Sequence, residues 1–292
     1  MFQKKGDLKL FSFDSFGGPP DPIQAMSTRI GGVSVGVYRS LNLGFHVDDE
    51  TEAVLINRQR FCQALSIPLR SIVTGQQVHG TEVAVVKGSD RGKGARSWEE
   101  GILQTDALVT ETPDVALMVL VADCAAVLLY DPVKRAVGIA HGSWRGTVGG
   151  IGVRTVQKMV DEFGCRPEEI QAGISPSIGP CCYQVGEEVI SALKGSFPDQ
   201  WERYIVPKSR GSVHFDLWEA LRGQLIETGM REEKIETAGI CTACHTDLFY
   251  SHRGENGRTG RNGVVIVLQE PEEGVLRDEE ESTCRTGRPQ RS

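Results

Sequence analysis

Three residues with metal-binding side chains stand out in the sequence: His79 in GQQVHG, Cys124 in VADCAAV and His141 in VGIAHG. Each lies at or beside the end of an apolar, strand-like run, where a sheet presents functional groups to a cleft. Two imidazoles and one thiolate suit a tetrahedral zinc ion with a fourth position open for water or substrate. A water there ionises near neutral pH and becomes a nucleophile. Residue type and spacing also allow hydrogen-bonded structural histidines and a small core cysteine.

Charged residues close to these three are candidates for acid–base chemistry and for phosphate binding. Asp123 directly precedes Cys124, where a carboxylate can transfer protons, orient a ligand, or simply cap a turn. Arg145 in HGSWRG and Arg29 in STRIGG carry guanidinium groups that can bind phosphate through two parallel hydrogen bonds. A solvated surface position is the alternative for both arginines.

Further polar residues are candidates for contacts with a substrate. Gln76 and Gln77 in GQQVHG can bind the edge of a base or a ribose, or can satisfy loop backbone groups instead. The segment GRTGRNG and the arginine shortly before it can add positive potential for a phosphate, or can form a flexible surface loop; these arginines are Arg253, Arg258 and Arg261.

The chain has eight cysteines, which we expect to be reduced because no export signal is visible. CTACH at residues 241–245 matches the c-type haem attachment pattern, but that pattern belongs to exported proteins. Structural thiols are favoured there over a second zinc site that uses Cys241 and Cys244. Cys181 and Cys182 are also predicted to be structural, packed beneath the loop SPSIGPCCY, because adjacent cysteines rarely suit one tetrahedral ion.

Composition excludes several classes of function. The chain has 292 residues, 39% hydrophobic and 24% charged, with a net charge of −7 that gives no general attraction for nucleic acid or anionic membrane. No apolar run approaches the roughly 18–20 residues that span a bilayer, and the N-terminus lacks a signal-peptide core. These features predict a cytoplasmic protein without nucleic-acid or membrane partners.

Strand and helix patterns alternate along the chain without a strict βαβ repeat. Short β-rich runs fill residues 81–141, and helical spacing appears in EAVLINRQRFCQAL, GTVGGIGVRTVQKMVDEFG, VGEEVISALKG and FDLWEALRGQLIETG. We predict a single α+β domain over residues 26–269, with mixed β-sheet layers flanked by helices. Residues 1–25 are expected to be a loosely held leader or a short edge strand. Residues 270–292 are expected to be a disordered, charged tail.

Several long motifs resemble, in order, those of the YfiH-like or laccase-domain (polyphenol oxidase) family: STRIGGVSVGVYRSLNLGFHVDD, GQQVHG, TDALVT, VADCAAVLLYDP, GIAHGSWRGTVGGI, GISPSIGPCCYQVGEEV and CT…FYSHR…GRTGRNGVVIV. The resemblance covers roughly residues 26–268. It implies a fold similar to that of the cytotoxic necrotizing factor deamidases. It also implies one zinc ion held by His79, Cys124 and His141.

The activity implied by this resemblance is phosphorolysis of adenosine, inosine and methylthioadenosine, together with deamination of adenosine. Its partners would then be a purine nucleoside and phosphate. The usual zinc deaminases carry H-x-E with P-C-x-x-C. This chain has neither motif, so deamination would need another acid–base group, for which Asp123 is the candidate.

Three alternatives remain at this stage. A copper-dependent polyphenol oxidase is disfavoured, because multicopper laccases hold their copper ions with many histidines in His-X-His pairs. This chain has six histidines and no such pair, although copper can still compete for an N/S site. A metal-independent cysteine hydrolase or amidase would use Cys124 activated by a histidine. A non-enzymatic partner-binding module is the third alternative, and the sequence does not indicate an oligomeric state.

Overall fold

Two six-stranded sheets form the centre of the structure. The computed structural model describes residues 1–16, 22–208 and 211–270. The strands of the first sheet are, in spatial order, β1 (Phe2–Lys5), β2 (Leu8–Phe11), β3 (Ile23–Ser27), β15 (Asn262–Val267), β7 (Ala116–Val121) and β4 (Ile72–Thr74). The strands of the second sheet are β14 (Ile235–Thr237), β10 (Gln171–Ile174), β8 (Ala125–Asp131), β9 (Ala136–Gly142), β6 (Ala107–Thr110) and β5 (Val83–Val85).

Five helices and a small three-stranded sheet complete the described part of the chain. The helices are α1 (Thr51–Ala64), α2 (Trp144–Val148), α3 (Ile151–Phe163), α4 (Glu187–Ser196) and α5 (Leu217–Glu227). The small sheet has the strand order β11 (Gln184–Val185), β13 (Val213–Phe215) and β12 (Ile205–Pro207). No helix in the described residues is long and apolar enough to cross a membrane.

The central strands are apolar on both faces, which is why they appear in the sequence as continuous apolar runs. In β7, Leu117 and Val119 face the core between the two sheets, whereas Met118 packs on the side that α1 covers with Phe61. In β8, Leu128 faces the first sheet and Leu129 faces the helices α3 and α5. The layers therefore run helix, sheet, sheet, helices, and the predicted α+β architecture is confirmed.

The N-terminal residues belong to this architecture. β1 is the edge strand of the first sheet and pairs antiparallel with β2, so the expectation of an edge strand describes this segment and the expectation of a loosely held leader does not. Phe13 is buried between the sheets, and the amide of Gln24 both donates to and accepts from its backbone. An added Cβ at Gly173 would lie 2.7 Å from the Phe13 ring, which shows how closely this segment packs on β10.

Two other expectations differ from the structure. The helix predicted over GTVGGIGVRTVQKMVDEFG is divided into α2 and α3, because Gly150 adopts a left-handed conformation with φ of 81°. The three-stranded sheet was not predicted, since its strands are only two or three residues long. The predicted disordered tail lies outside the described residues apart from Glu270.

Replacing Phe13 with alanine tests the packing of the N-terminal segment. We expect the Phe13→Ala variant to lose about 3–5 kcal/mol of unfolding free energy, because it leaves a cavity between the sheets. Urea denaturation followed by fluorescence measures this loss. Val35→Ala is the control, since Val35 is 74% exposed and should change the unfolding free energy by less than about 0.5 kcal/mol. Equal small effects in both variants would show that the segment is loosely held.

Candidate metal centre

His79, Cys124 and His141 come together where the two sheets meet. Cys124 lies in the short crossing from β7 in the first sheet to β8 in the second. His141 is on β9, where it pairs with Ala126 of β8, and His79 is in the loop that follows β4. The ligand atoms of the three side chains all lie within 4.8 Å of one another, and the two imidazole centroids are 5.0 Å apart. The structure therefore assembles the three residues that the sequence singled out.

A buried carboxylate, Asp106, holds two of these ligands in place. Its Oδ1 lies 2.8 Å from His141 Nδ1 and accepts the backbone N–H of His79 at 3.0 Å. Its Oδ2 accepts the backbone N–H groups of Val78 at 3.0 Å and Gly80 at 2.8 Å. The carboxylate fixes the tautomer in which His141 Nδ1 carries the proton, so that Nε2 is free to bind a metal ion. It also holds the loop in which His79 has a φ of 61°.

The electrostatics of the cluster favour an ionised thiol. Burial opposes ionisation of Cys124, but the positive charge of His141 and hydrogen bonds from both imidazoles outweigh it and lower the Cys124 pKa to about 6. Burial also disfavours the imidazolium of His141, but the Cys124 thiolate and the Asp106 hydrogen bond raise the His141 pKa to about 9. A metal ion can take the place of the proton that this pair shares, because thiolate and neutral imidazole are its ligand forms.

The donor set and its surroundings fit a metal ion with an open position. His141 is 3% exposed and braced from behind, whereas His79 is exposed toward the cavity that all three residues line. Two nitrogens and one sulfur leave one tetrahedral position on the cavity side for another ligand. His46 and His252 line the same cavity, but within the described residues neither joins a group of three metal-binding side chains.

The cavity above the cluster has a volume of about 530 Å³. It is lined by the aromatic residues Trp98, Trp144 and Tyr183 and by the cationic residues Arg253 and Arg261. Such a combination suits a ligand that has both a flat apolar face and a negative charge.

The positive charges around this cavity affect the pKa of His46. The ring of His46 stacks on Trp98 with centroids 4.6 Å apart. Burial, together with the positive charges of Arg261 and Arg58, lowers the His46 pKa to about 4. His46 is therefore neutral at physiological pH, and the same field attracts an anion.

Asp123 lies beside the cluster and lines the cavity, but its carboxylate is already occupied. Its Oδ1 accepts hydroxyl hydrogen bonds from Thr242 at 2.7 Å and Ser251 at 2.6 Å. Its Oδ2 accepts the backbone N–H of Arg253 at 2.6 Å. These three hydrogen bonds tie the loop around residues 242–253 to the residue next to Cys124, which suits a positioning role better than proton transfer.

The two glutamines predicted to bind substrate contact the protein backbone instead. Gln77 lines the cavity, but its amide donates to the carbonyl of Leu120 at 2.9 Å and accepts the Leu120 N–H at 2.8 Å. Gln76 donates to the carbonyls of Trp98 and Glu99 and does not line the cavity. Both glutamines therefore connect loops around the site.

Arg145 and Arg29 also lie away from the cavity lining. Arg145 is exposed, pairs with Glu188 at 3.0 Å and stacks on Trp144. Arg29 pairs with Glu255 at 2.9 Å and donates to two backbone carbonyls. Both guanidinium groups have carboxylate partners, and neither residue lines the cavity above the metal cluster.

Several residues of the site were not selected from the sequence. His46, Trp98, Tyr183 and His252 line the cavity although they are distant from one another in sequence, and Asp106 lies behind the cluster. Of the three arginines near GRTGRNG, Arg253 and Arg261 line the cavity and Arg258 does not. The one available signal for Asp106 was its position in TDALVT, directly before a buried strand that pairs with the strand of His141.

Replacing Asp106 with asparagine tests its support of the metal ligands. We expect Asp106→Asn to weaken zinc binding about 10–100-fold, because the amide cannot hold the His141 tautomer and the His79 loop together. Competition with a fluorescent zinc chelator measures the affinity. Asp131→Asn is a matched control, because Asp131 is also fully buried but lies at the far end of β8. Equal affinities of wild type and Asp106→Asn would contradict this role.

Comparisons with known proteins identify the family of this chain. A family model described as multi-copper polyphenol oxidoreductase laccase matches residues 23–269. The purine nucleoside phosphorylase YlmD of Geobacillus stearothermophilus is 37% identical over 256 residues, which cover 87% of this chain and 93% of that protein. Adenosine deaminase RL5, from an unknown prokaryotic organism, is 31% identical over 245 residues, covering 84% and 93% of the two chains.

Solved structures give the same result. The crystal structure of YlmD from Geobacillus stearothermophilus superposes with a TM-score of 0.87 at 35% identity, covering 92% of this chain and 99% of that one. The crystal structure of the Bacillus licheniformis hypothetical protein YfiH gives a TM-score of 0.86 at 33% identity, with the same coverage. The chain therefore belongs to the YfiH-like, laccase-domain family.

Proposed function

We propose that this protein is a zinc-dependent purine nucleoside phosphorylase, with its active site in the cavity above His79, Cys124 and His141. The observation that carries the proposal is the joining of an open N/S ligand cluster to an aromatic and cationic cavity in one site. A relative that is 37% identical over most of both chains is named a purine nucleoside phosphorylase. The substrates we propose are adenosine, inosine and methylthioadenosine, together with phosphate.

The cavity suits a nucleoside in size and in surface. Its volume of about 530 Å³ falls within the roughly 300–1,000 Å³ typical of small-molecule sites. Trp98 and Tyr183 present rings on which a purine can stack. Burial raises the pKa of Tyr183, so its phenol stays protonated and can donate a hydrogen bond to the substrate.

A phosphate ion needs positive charge around it, and we assign phosphate binding to Arg261, with Arg253 as a second contact. The Arg261 guanidinium donates through Nη1 to the carbonyls of Thr259 and Gly260, and within the described residues no carboxylate forms an ion pair with it. Its charge therefore remains available to an anion in the cavity. The Arg253 guanidinium donates to the carbonyls of Cys182 and Gln184, and Arg253 lines the same cavity.

Phosphorolysis replaces one bond by another at the anomeric carbon. A phosphate oxygen forms a bond to C1′, the bond from C1′ to purine N9 breaks, and its electron pair leaves with the base. The base then needs a proton. His46 is neutral, and His79 and His141 serve as ligands, so the exposed imidazole of His252 is our candidate donor among the histidines that line the cavity.

The ligand set favours zinc over the copper that the family description implies. A zinc ion bound here would supply a Lewis acid that polarises a substrate oxygen or nitrogen. The described residues contain one histidine-bearing ligand group, and the other two described histidines near it stand apart from any second group. A cluster of several copper ions, which laccase chemistry needs, has no ligand set in this cavity.

Adenosine deamination is a second candidate, because the relative RL5 is named an adenosine deaminase at 31% identity. Asp123 would be the sequence-derived acid–base group for that reaction. Its three hydrogen-bond donors make it a positioning residue in our proposal. The cysteine hydrolase is the remaining alternative, which the lowered Cys124 pKa in the metal-free chain also allows.

Incubating the zinc-loaded protein with adenosine, inosine or methylthioadenosine tests the function. We expect free purine base to appear only when phosphate is present, as measured by liquid chromatography. Cys124→Ser should abolish this activity, because it removes the thiolate ligand. No base release by zinc-replete protein would contradict the proposal. Phosphate-independent formation of inosine from adenosine would establish deamination, and amide hydrolysis that survives zinc removal would establish the cysteine hydrolase.

Arg261 variants test the phosphate site. We expect Arg261→Met to raise the KM for phosphate about tenfold or more, with a smaller change for the nucleoside, because a charge-assisted hydrogen bond is lost. Arg261→Lys should raise it less, because lysine keeps the charge but not the guanidinium geometry. Initial rates at varied phosphate measure the effect, and thermal melting checks folding. Arg145→Met should change the phosphate KM less than about twofold, since that exposed arginine pairs with Glu188. The opposite order of effects would restore Arg145 as the phosphate ligand.

A further inference from the structure

Four cysteines outside the catalytic cluster converge on one point of the surface. Cys181 and Cys182 lie in the loop after β10, whereas Cys241 and Cys244 lie in the loop after β14. Their four sulfur atoms all lie within 4.8 Å of one another. The Cys244 sulfur is 3.6 Å from that of Cys181 and 3.4 Å from that of Cys182. Sequence spacing did not predict this grouping, because sixty residues separate the two pairs.

These distances suit a bound metal ion better than a disulfide. Zinc binds thiolates at about 2.3 Å, so a tetrahedral ion holds its sulfurs about 3.8 Å apart. A disulfide needs about 2.05 Å, and all the described cysteines are free thiols. Cys181 and Cys244 are also exposed, so they do not pack beneath the loop as core residues would.

The backbone around the cluster is arranged to stabilise thiolates. The Cys241 sulfur accepts the backbone N–H of Gly179 at 3.3 Å and also that of Cys244, within the Cys-x-x-Cys turn. Such N–H groups offset negative charge on a metal-bound sulfur. The guanidinium of Arg253 donates to the carbonyl of Cys182 at 3.2 Å and places a positive charge nearby. Four thiolates and one divalent ion leave a net negative charge, which these N–H groups and the Arg253 guanidinium partly offset.

The two loops are fixed to each other independently of the sulfurs. Ser177 donates its N–H to the carbonyl of Ile240 and accepts the N–H of Thr242 at 3.0 Å. Trp218 donates to the Ser177 hydroxyl at 2.6 Å, and its ring lies 2.6 Å from where a Cβ of Gly179 would be. The turn at 179–182 is closed by the hydrogen bond from Cys182 N–H to the Gly179 carbonyl. These contacts hold the two loops so that the adjacent residues Cys181 and Cys182 both reach the same point. Both can therefore bind one ion, although adjacent cysteines rarely do.

We propose that Cys181, Cys182, Cys241 and Cys244 bind a second zinc ion as a four-thiolate structural site. Binding releases the thiol protons to solvent, and the sulfurs form bonds to zinc without any change of oxidation state. Tyr183 and Gln184 follow Cys182 directly and line the catalytic cavity, while Thr242 follows Cys241 and holds Asp123. The second ion joins two loops of the cavity wall. The proposal does not depend on the reaction catalysed.

Metal analysis of the full-length chain, purified under reducing conditions and loaded with zinc, tests the site. We expect about two zinc ions per chain in the wild type and about one in the Cys181→Ser/Cys182→Ser variant. Cys124→Ser should retain about one, because it disrupts only the catalytic cluster. Cys165→Ala is the matched control and should retain about two, since Cys165 is buried away from both clusters. Equal zinc content in the wild type and the Cys181→Ser/Cys182→Ser variant would overturn the proposal.

Two further measurements keep the test decisive if the double variant fails to fold. In native wild-type protein, zinc should slow alkylation of the four cysteines at least about tenfold relative to the metal-free protein, as mapped by mass spectrometry. Cobalt added to Cys124→Ser should give the intense sulfur-to-cobalt absorption of a four-thiolate site. Equal alkylation with and without zinc, no such absorption, or a disulfide within the cluster in the reduced protein would each overturn the proposal.

Discussion

The carboxylate of Asp106 is the constraint on which the site depends. It is 1% exposed and carries charge inside the protein, which is costly unless hydrogen bonds compensate it. The compensating donors are the His141 ring and three successive backbone N–H groups that include His79. The same hydrogen bonds that make the buried charge tolerable therefore set the positions of two metal ligands. The Asp106 carboxylate therefore affects both the stability of the fold and the arrangement of the candidate metal ligands.

Asp123, the residue before Cys124, is a second carboxylate that several hydrogen bonds hold in place. It gathers two hydroxyls and one backbone N–H from a loop more than a hundred residues later in the chain. Between them, the two carboxylates hold the loop of His79, the ring of His141 and the loop around residues 242–253. His141 lies on strand β9, whereas His79 lies in a loop that Asp106 positions through three backbone N–H groups.

The sequence predicted the central strands and singled out the three residues of the candidate metal cluster, for a physical reason. Strands buried on both faces give long apolar runs, and His79, Cys124 and His141 stand out at or near the ends of such runs. The sequence alone did not show which polar side chains line the cavity. An arginine or glutamine in a loop looks the same in sequence whether it faces a ligand or a backbone carbonyl, and only the fold shows that Arg145 pairs with Glu188 while Arg261 lines the cavity. Asp106 was missed because three of its four partners are backbone N–H groups, which carry no residue identity, and the fourth, His141, is 35 residues away in sequence.

The order of strands in the first sheet has a consequence for how the chain is made. β15, the last strand within the described residues, lies between β3 and β7 and pairs with both. The sheet can therefore close only after residues 262–267 have left the ribosome. Until then β3 and β7 lack the strand that joins them, and contacts of such large sequence separation form slowly. The nascent chain must therefore pass through a stage in which one edge of β3 and one edge of β7 are unpaired, and unpaired edges of this kind can pair with other chains.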